Sequence, residues 1–120
     1  SDLVVLPNVN QPGNPPDVLS SPAMEKLLQK LAQSFDMVIV DSPPVLAVSD
    51  ALVLSRLVDR TVFVVRWART PRAAVVTALK QLRGAGANLA GVVLSRVNIR
   101  QHARYGYGDL MYYYRGYKKY

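Results

Sequence analysis

The sequence predicts an α/β fold in which parallel strands form a sheet flanked by helices. Three apolar runs of four or five residues, 37–40, 61–65 and 91–94, alternate with two helical segments. Unbroken apolar strands separated by helices are typical of parallel sheets that are covered on both faces. The chain has 120 residues, which suits one domain, and 50% of them are hydrophobic, which suits a buried core.

Before these runs, the chain predicts one more strand and one more helix. The run Leu3–Leu6 is ended by Pro7, which is typical of a short buried strand. Residues 7–17 are rich in proline and asparagine, so we expect a loop there. Ser21 then predicts an N-cap, and Pro22 begins an amphipathic helix that continues to about Ser34.

The second predicted strand, 37–40, is closed by a carboxylate. Asp41 follows it directly, and the pair Pro43 and Pro44 prevents the strand from continuing. Ser49 predicts the cap of a short helix that continues through Leu57.

The last two predicted strands also end in polar residues. The strand 61–65 ends at Arg66, and the strand 91–94 ends at Ser95. Between them, Thr70 and Pro71 predict the start of a helix, and the glycines that follow Arg83 predict its end.

Three polar residues are therefore expected at one edge of the sheet. Right-handed crossovers bring the carboxyl ends of parallel strands to the same edge, where such sheets bind ligands. Asp41, Arg66 and Ser95 each close a strand. Topology alone predicts that they line this edge.

Asp41 is the strongest candidate for chemistry. A carboxylate at the tip of an apolar strand, beside a phosphate site, holds Mg²⁺ directly or through water. The alternative is that Asp41 only caps the turn at Pro43 and Pro44.

The other polar residues also have two interpretations. Arg66 suits a phosphate contact, or an ion pair with Asp41 or Asp50. Ser95, together with Asn98, either borders a base pocket or forms a strand-end turn. Asp50 itself fits a favourable charge at a helix start. The remaining candidate, His102, has no catalytic neighbours in the sequence.

Several kinds of site are excluded by composition. The chain has no cysteine and one histidine, so a disulfide framework is absent and a zinc site is disfavoured. No apolar run approaches the length of a transmembrane helix, and residues 1–3 do not begin a signal peptide. The sequence also lacks the pattern G-x-x-x-x-G-K-[ST], which cradles phosphates. We therefore expect half of a nucleotide site.

The C-terminal segment differs from the body. Residues 96–120 carry a net charge of +5, against +2 for residues 1–95. All seven tyrosines lie in this segment: Tyr105, Tyr107, Tyr112, Tyr113, Tyr114, Tyr117 and Tyr120. We expect two units, a globular body over 1–99 and a flexible, basic, tyrosine-rich tail over 100–120.

The segment 35–44, FDMVIVDSPP, with Val48-Ser49-Asp50-Ala51 after it, resembles the Walker B region of bacterial tyrosine kinases. These enzymes are autokinases of exopolysaccharide and capsule assembly. The stretches 14–22 and 64–70 and the tyrosine tail are similar to the same family, in the same order.

The resemblance implies a partial P-loop NTPase fold of the MinD/ParA type, without its Walker A strand. It implies that Asp41 binds Mg²⁺, that Asp41, Ser42, Arg66 and Ser95 border ATP, and that the seven tyrosines are autophosphorylated. Relatives often have asparagine where this chain has Ser95.

The resemblance also implies partners and a location. We expect a homo-oligomer that presents its tail in trans, an upstream transmembrane or chain-length-determinant region, and a phosphatase. The expected location is the cytoplasmic face of the bacterial inner membrane. Because the Walker A loop is missing, we expect the chain by itself to be inactive.

Two other functions remain open at this point. One is a MinD/ParA-like positioning ATPase, although the tail lacks the apolar stripe of an amphipathic membrane helix. The other is an Arg/Tyr/Gly module that binds nucleic acid, whereas the kinase interpretation predicts no nucleic-acid partner.

Overall fold

A computed structural model describes residues 3–7 and 14–98 of the chain. The predicted tail, 100–120, lies outside the described residues. The elements within them, in chain order, are α1 Pro15–Leu19, α2 Pro22–Ser34, α3 Asp50–Leu54, β1 Thr61–Arg66, α4 Arg72–Gly84 and β2 Leu89–Ser95.

The described sheet consists of β1 and β2, which are parallel. Val62 pairs with Gly91, and the register then continues without interruption to Arg66 and Ser95. One irregularity, between Thr61 and Val62, lies at the opposite end of the sheet. The predicted strands 61–65 and 91–94 and their parallel connection through a helix are confirmed.

The connection from α4 to β2 depends on a glycine. Gly86 has a φ of +85°, and its N–H donates to the carbonyl of Arg83 at 3.0 Å. The N–H of Ala87 donates to the carbonyl of Leu82 at 2.9 Å. This pair of hydrogen bonds is the Schellman motif, which ends a helix and reverses the chain.

The buried core is small and central. Its apolar members come from α3, β1 and α4: Ala51, Leu54, Val65, Ala78 and Leu82. Ser55 is the buried polar residue, and its hydroxyl donates to the carbonyl of Leu52 at 2.8 Å. The buried residues thus come from β1, from the helix before it and from the helix after it.

Two predicted strands are not strands in the structure. Residues 3–6 and 37–40 have no strand assignment, and their apolar side chains are exposed. The prediction of a buried strand was wrong for both segments. A strand requires a neighbouring strand for its backbone N–H and C=O groups, and the described residues provide none beside either segment.

The helices differ from prediction in smaller ways. The N-cap at Ser21 is confirmed, since its Oγ accepts a hydrogen bond from the N–H of Met24 at 3.3 Å. The helix predicted over 49–57 is shorter, and Ser49 makes no side-chain cap. Pro71, not Thr70, is the N-cap position of α4.

The short helix α1 begins inside the segment 7–17, which was predicted as a loop, and ends two residues after it. Asn14 precedes Pro15 at its first turn, and the Nδ2 of Asn14 donates to the carboxylate of Asp17. Proline at the first helical position with an acidic residue soon after it is a helix-start signal. The high proline content of the surrounding residues concealed that signal.

Candidate functional site at the carboxyl edge of the sheet

The carboxyl ends of β1 and β2 bring two predicted site residues together. Arg66 and Ser95 are paired in the register of the sheet. The Oγ of Ser95 donates to the carbonyl of Val65 at 3.4 Å, and the N–H of Trp67 donates to the carbonyl of Ser95 at 3.0 Å. Two residues 29 positions apart in sequence thus meet at one edge, as the topology predicts.

Both loops that leave this edge contain a backbone conformation that L residues rarely adopt. Ala68, after β1, has a φ of +54°, and Arg96, after β2, has a φ of +55°. The turn after β1 is closed by hydrogen bonds from the N–H groups of Arg69 and Thr70 to the carbonyl of Arg66, at 3.3 and 3.1 Å. Such conformations carry a cost of about 1 kcal/mol or more, and they are frequent at functional sites.

Asp41 is exposed at the end of an extended segment. Along that segment exposure alternates, with Met37 at 77% and Ile39 at 84%, but Val38 at 38% and Val40 at 37%. This period of two is the pattern of a strand with one face partly covered. Asp41 therefore follows a segment whose exposure alternates as in a strand, although no strand is assigned beside it in the described part of the chain.

The residues after Asp41 form a turn that leads to α3. The Oγ of Ser42 lies 3.4 Å from the carbonyl of Pro43, and the N–H of Ala47 donates to the carbonyl of Pro44 at 2.9 Å. Asp50, the first residue of α3, is half-buried. Its position agrees with the alternative that Asp50 is a favourable charge at a helix start.

Arg66 and Ser95 are brought together, but Asp41 is not joined to them. Within the described residues, no hydrogen bond or ion pair links the Asp41 carboxylate to either side chain. Two of the three residues predicted at this edge, Arg66 and Ser95, are thus neighbours in the structure. Asp41 is exposed and is not linked to them.

The donor set for a metal is incomplete in the described part of the chain. No group of three or more His, Cys, Asp or Glu side chains in that part is placed to hold an ion. One exposed carboxylate and a neighbouring hydroxyl, from Asp41 and Ser42, suit Mg²⁺ only as part of a larger set, because Mg²⁺ takes six oxygen ligands, including waters and phosphates.

Sequence reasoning missed three arginines at this edge. Arg69 lies in the turn after β1, Arg72 begins α4, and Arg96 follows β2, and all three are exposed. The signal was present in the spacing of Arg66, Arg69 and Arg72. It was missed because only Arg66, the arginine that closes a strand, was considered. The seven tyrosines and His102 lie outside the described residues.

Among the described helices, none has both the length and the apolar character needed to cross a bilayer.

Sequence comparison finds relatives among bacterial tyrosine kinases. The chain is 34% identical over 105 residues to the tyrosine-protein kinase YwqD of Bacillus subtilis, which covers 88% of the chain and 44% of the relative. It is 39% identical over 96 residues to the tyrosine-protein kinase Etk of Escherichia coli K12, covering 80% of the chain and 13% of the relative. The chain thus spans less than half the length of these relatives. No family model matches the chain.

Structure comparison agrees with the sequence comparison. The kinase domain of Escherichia coli Etk aligns with a TM-score of 0.65 and 36% identity, over 72% of this chain and 36% of that domain. The VpsO kinase domain aligns with a TM-score of 0.68 and 33% identity, over 72% of this chain and 43% of that domain. The predicted α/β class and the predicted resemblance to tyrosine kinases are both confirmed.

Proposed function

We propose that this chain, which is homologous to one part of the bacterial tyrosine-kinase domain, supplies the Walker B edge and the acceptor tyrosines of a protein-tyrosine autokinase. The similarity to tyrosine kinases in both sequence and fold carries this proposal. The tyrosine-rich segment after β2 supports it, since a kinase that modifies itself requires acceptors within reach.

The proposed reaction is phosphoryl transfer from ATP to a tyrosine hydroxyl. The phenolic oxygen attacks the γ-phosphorus, and the bond between that phosphorus and the bridging oxygen breaks. Phosphotyrosine forms, ADP leaves, and the phenolic proton is released. Catalysis of such a transfer depends mainly on positioning and on stabilisation of charge on the phosphoryl oxygens.

Asp41 is the residue that would hold magnesium in this scheme. When bound with ATP, Mg²⁺ neutralises charge on the phosphates. Asp41 would contribute one oxygen ligand or orient a coordinated water, and Ser42 follows it in the sequence. Arg66 and Ser95, paired at the neighbouring strand ends, are proposed to border the nucleotide.

The rest of the nucleotide site belongs to sequence that this chain does not contain. Lysine and glycine of a phosphate loop are absent from residues 1–120. The relatives are longer, and the chain matches 13% to 44% of them in the comparisons above. We therefore assign ATP and Mg²⁺ binding to the longer protein, and we expect the chain by itself to be inactive.

The proposal includes a division of the chain and a cellular setting. Residues 1–99 form the second half of the kinase body, and residues 100–120 form the acceptor tail. The longer protein is proposed to act as a homo-oligomer at the cytoplasmic face of the inner membrane, with an upstream membrane region and a phosphatase as partners. Its proposed role is control of exopolysaccharide or capsule synthesis and export.

The test is autophosphorylation of the full-length protein with Mg-ATP. Asp41→Asn removes the charge of the carboxylate while preserving its shape. We expect phosphotyrosine in residues 105–120 to fall by at least about a hundredfold, because an essential metal ligand contributes several kcal/mol to transition-state stabilisation. Mass spectrometry of the tail peptides measures the loss.

The matched control is Asp36→Asn. Asp36 is exposed and lies at the other end of the same extended segment, so this variant makes the same chemical change away from the carboxyl edge. We expect it to retain phosphotyrosine within about twofold of the unsubstituted protein, as is usual for surface substitutions. Normal phosphotyrosine in Asp41→Asn would refute the metal assignment, and no phosphotyrosine in any form would refute the kinase proposal.

A further inference from the structure

Charge is strongly segregated along the chain. Residues 60–108 contain no Asp or Glu, whereas seven of the eight carboxylates precede them. The nine basic residues in this stretch are Arg60, Arg66, Arg69, Arg72, Lys80, Arg83, Arg96, Arg100 and Arg104. The part of the fold that contains β1, α4 and β2 therefore has no carboxylate of its own to neutralise its cations.

Four of these arginines lie at or soon after the carboxyl ends of β1 and β2. Arg66 pairs with Ser95 in the register, and Arg96 follows Ser95 directly. The N–H of Arg69 donates to the carbonyl of Arg66 at 3.3 Å, and Arg72 begins α4 three residues later. We name this exposed group, Arg66, Arg69, Arg72 and Arg96, the arginine rim.

The rim contains two locally unfavourable arrangements. Arg72 puts a cation at the positive end of the dipole of α4, and no acidic residue in the first turn compensates it. Arg96 has a φ of +55°, which a non-glycine residue adopts only at a cost. Unfavourable local arrangements of this kind are expected where residues serve a binding site. The ligand that guanidinium groups favour is an anion with phosphate oxygens.

We propose that the arginine rim docks the tail of the same chain once its tyrosines are phosphorylated. The docking rests on the proposed function, because it requires phosphotyrosine. The rim provides the cations, and the tail provides the anions. Phosphorylation thereby converts the tail from a substrate into a ligand of the kinase body.

The tail begins at the rim. The chain leaves β2 at Ser95 and passes through Arg96, so the tail is tethered to one member of the rim. Tyr105 comes nine residues after Arg96. Nine residues span at most about 30 Å, whereas neighbouring strand ends are only about 5 Å apart, so every tyrosine from Tyr105 onward can return to the rim.

The charge of the tail decides when it docks. Unmodified, residues 100–120 carry five cations and one carboxylate, so they offer the rim no net negative charge to bind. Each phosphotyrosine adds about −1.5 to −2, and seven of them add roughly −10 to −14. The modified tail is therefore strongly anionic, and tethering gives it a high effective concentration at the rim.

The test measures binding of a synthetic tail peptide to the full-length protein with its tyrosines dephosphorylated. A fluorescent peptide of residues 100–120 is prepared with all seven tyrosines phosphorylated, and again with none. Fluorescence anisotropy should detect the phosphorylated peptide only, with an affinity that falls as salt is raised. Because the peptide is made chemically, this result does not depend on whether the protein is a kinase.

Two charge-matched variants locate the binding site. The rim variant combines Arg69→Gln, Arg72→Gln and Arg96→Asn, with asparagine chosen because it tolerates positive φ. The control combines Arg60→Gln, Lys80→Gln and Arg83→Gln, which removes the same three charges from the start of β1 and the later turns of α4. We expect at least about a tenfold loss of affinity in the rim variant, and about threefold or less in the control.

Three results would overturn the inference. Equal losses in the two variants would mean that net charge, and not the rim, binds the peptide. Equal binding of the unmodified peptide would exclude phosphotyrosine as the ligand. Stronger binding of a single-stranded RNA of matched charge at the same rim would assign the surface to nucleic acid. Circular dichroism of both variants checks that they are folded.

Discussion

Gly86 is the residue that allows α4 to end and the chain to enter β2. Its φ of +85° lies in the region that a Cβ atom disfavours. A Cβ at this position would meet no atom within 4 Å, so the conformation alone makes glycine necessary. Gly84, two residues earlier, is also free of close atoms, but it is the last residue of the helix.

The two glycines should respond in opposite directions to alanine. Gly86→Ala is expected to lower the free energy of unfolding by about 1 kcal/mol, because alanine must adopt positive φ. Gly84→Ala is expected to raise it by about 0.5 kcal/mol, because alanine favours the helix. Urea denaturation of the two variants measures both changes, and a stabilised Gly86→Ala would contradict the Schellman turn.

Two residues of the candidate site, Arg66 and Ser95, could be predicted from the sequence, whereas a third, Arg96, could not. Each was predicted because it closes an apolar run, and the register then confirmed that they are paired. Arg96 could not be found in this way, since its importance depends on its φ of +55° and on its position beside Arg66. The identity of an amino acid predicts neither its backbone angle nor which distant residues lie beside it.

At the scale of elements, three similar apolar runs behave differently. The runs 61–65 and 91–94 pair with each other and form β1 and β2. The run 37–40 is also apolar, and its exposure alternates as it does along β1, but it has no strand assignment. An apolar composition favours a strand, but the strand forms only when a second strand provides hydrogen-bond partners for its backbone.

Amide hydrogen exchange should distinguish the runs. In the 120-residue chain, we expect the amides of 38–40 to exchange much faster than those of 62–65, because only the latter lie in a paired strand. In the full-length protein, we expect 38–40 to become protected by a strand from the remaining part of the domain. Equal protection of both runs in the 120-residue chain would contradict the unpaired state of 37–40.

For the molecule as a whole, the described residues leave much apolar surface uncovered. The exposed large side chains include those of Leu3–Leu6 and of 37–40, and several on β1 and β2. The five buried apolar residues form a small core by comparison. Large exposed apolar patches mark surfaces that pack against something else. The matched parts of the Etk and VpsO kinase domains, 36% and 43%, show that most of each domain is not represented by this chain.

Nucleotide binding should therefore depend on the missing part. We expect isothermal titration calorimetry to detect no binding of Mg-ATP to the 120-residue chain, since its sequence lacks the glycine-rich loop with lysine that cradles phosphates. The full-length protein should bind Mg-ATP under the same conditions. Micromolar binding of Mg-ATP by the 120-residue chain would contradict our assignment of the phosphate site to the rest of the longer protein.

By itself, the sequence determined the local structure: β1, β2, α2 and α4, the cap at Ser21, the helix end near Gly86 and the polar residues that close each strand. These features depend on side-chain periodicity and on backbone preferences within a few residues. Only the tertiary structure decided that 3–6 and 37–40 remain unpaired and that four arginines gather at one edge. Strand pairing and charge clustering depend on which distant segments meet in space, and one run of residues does not specify its neighbours.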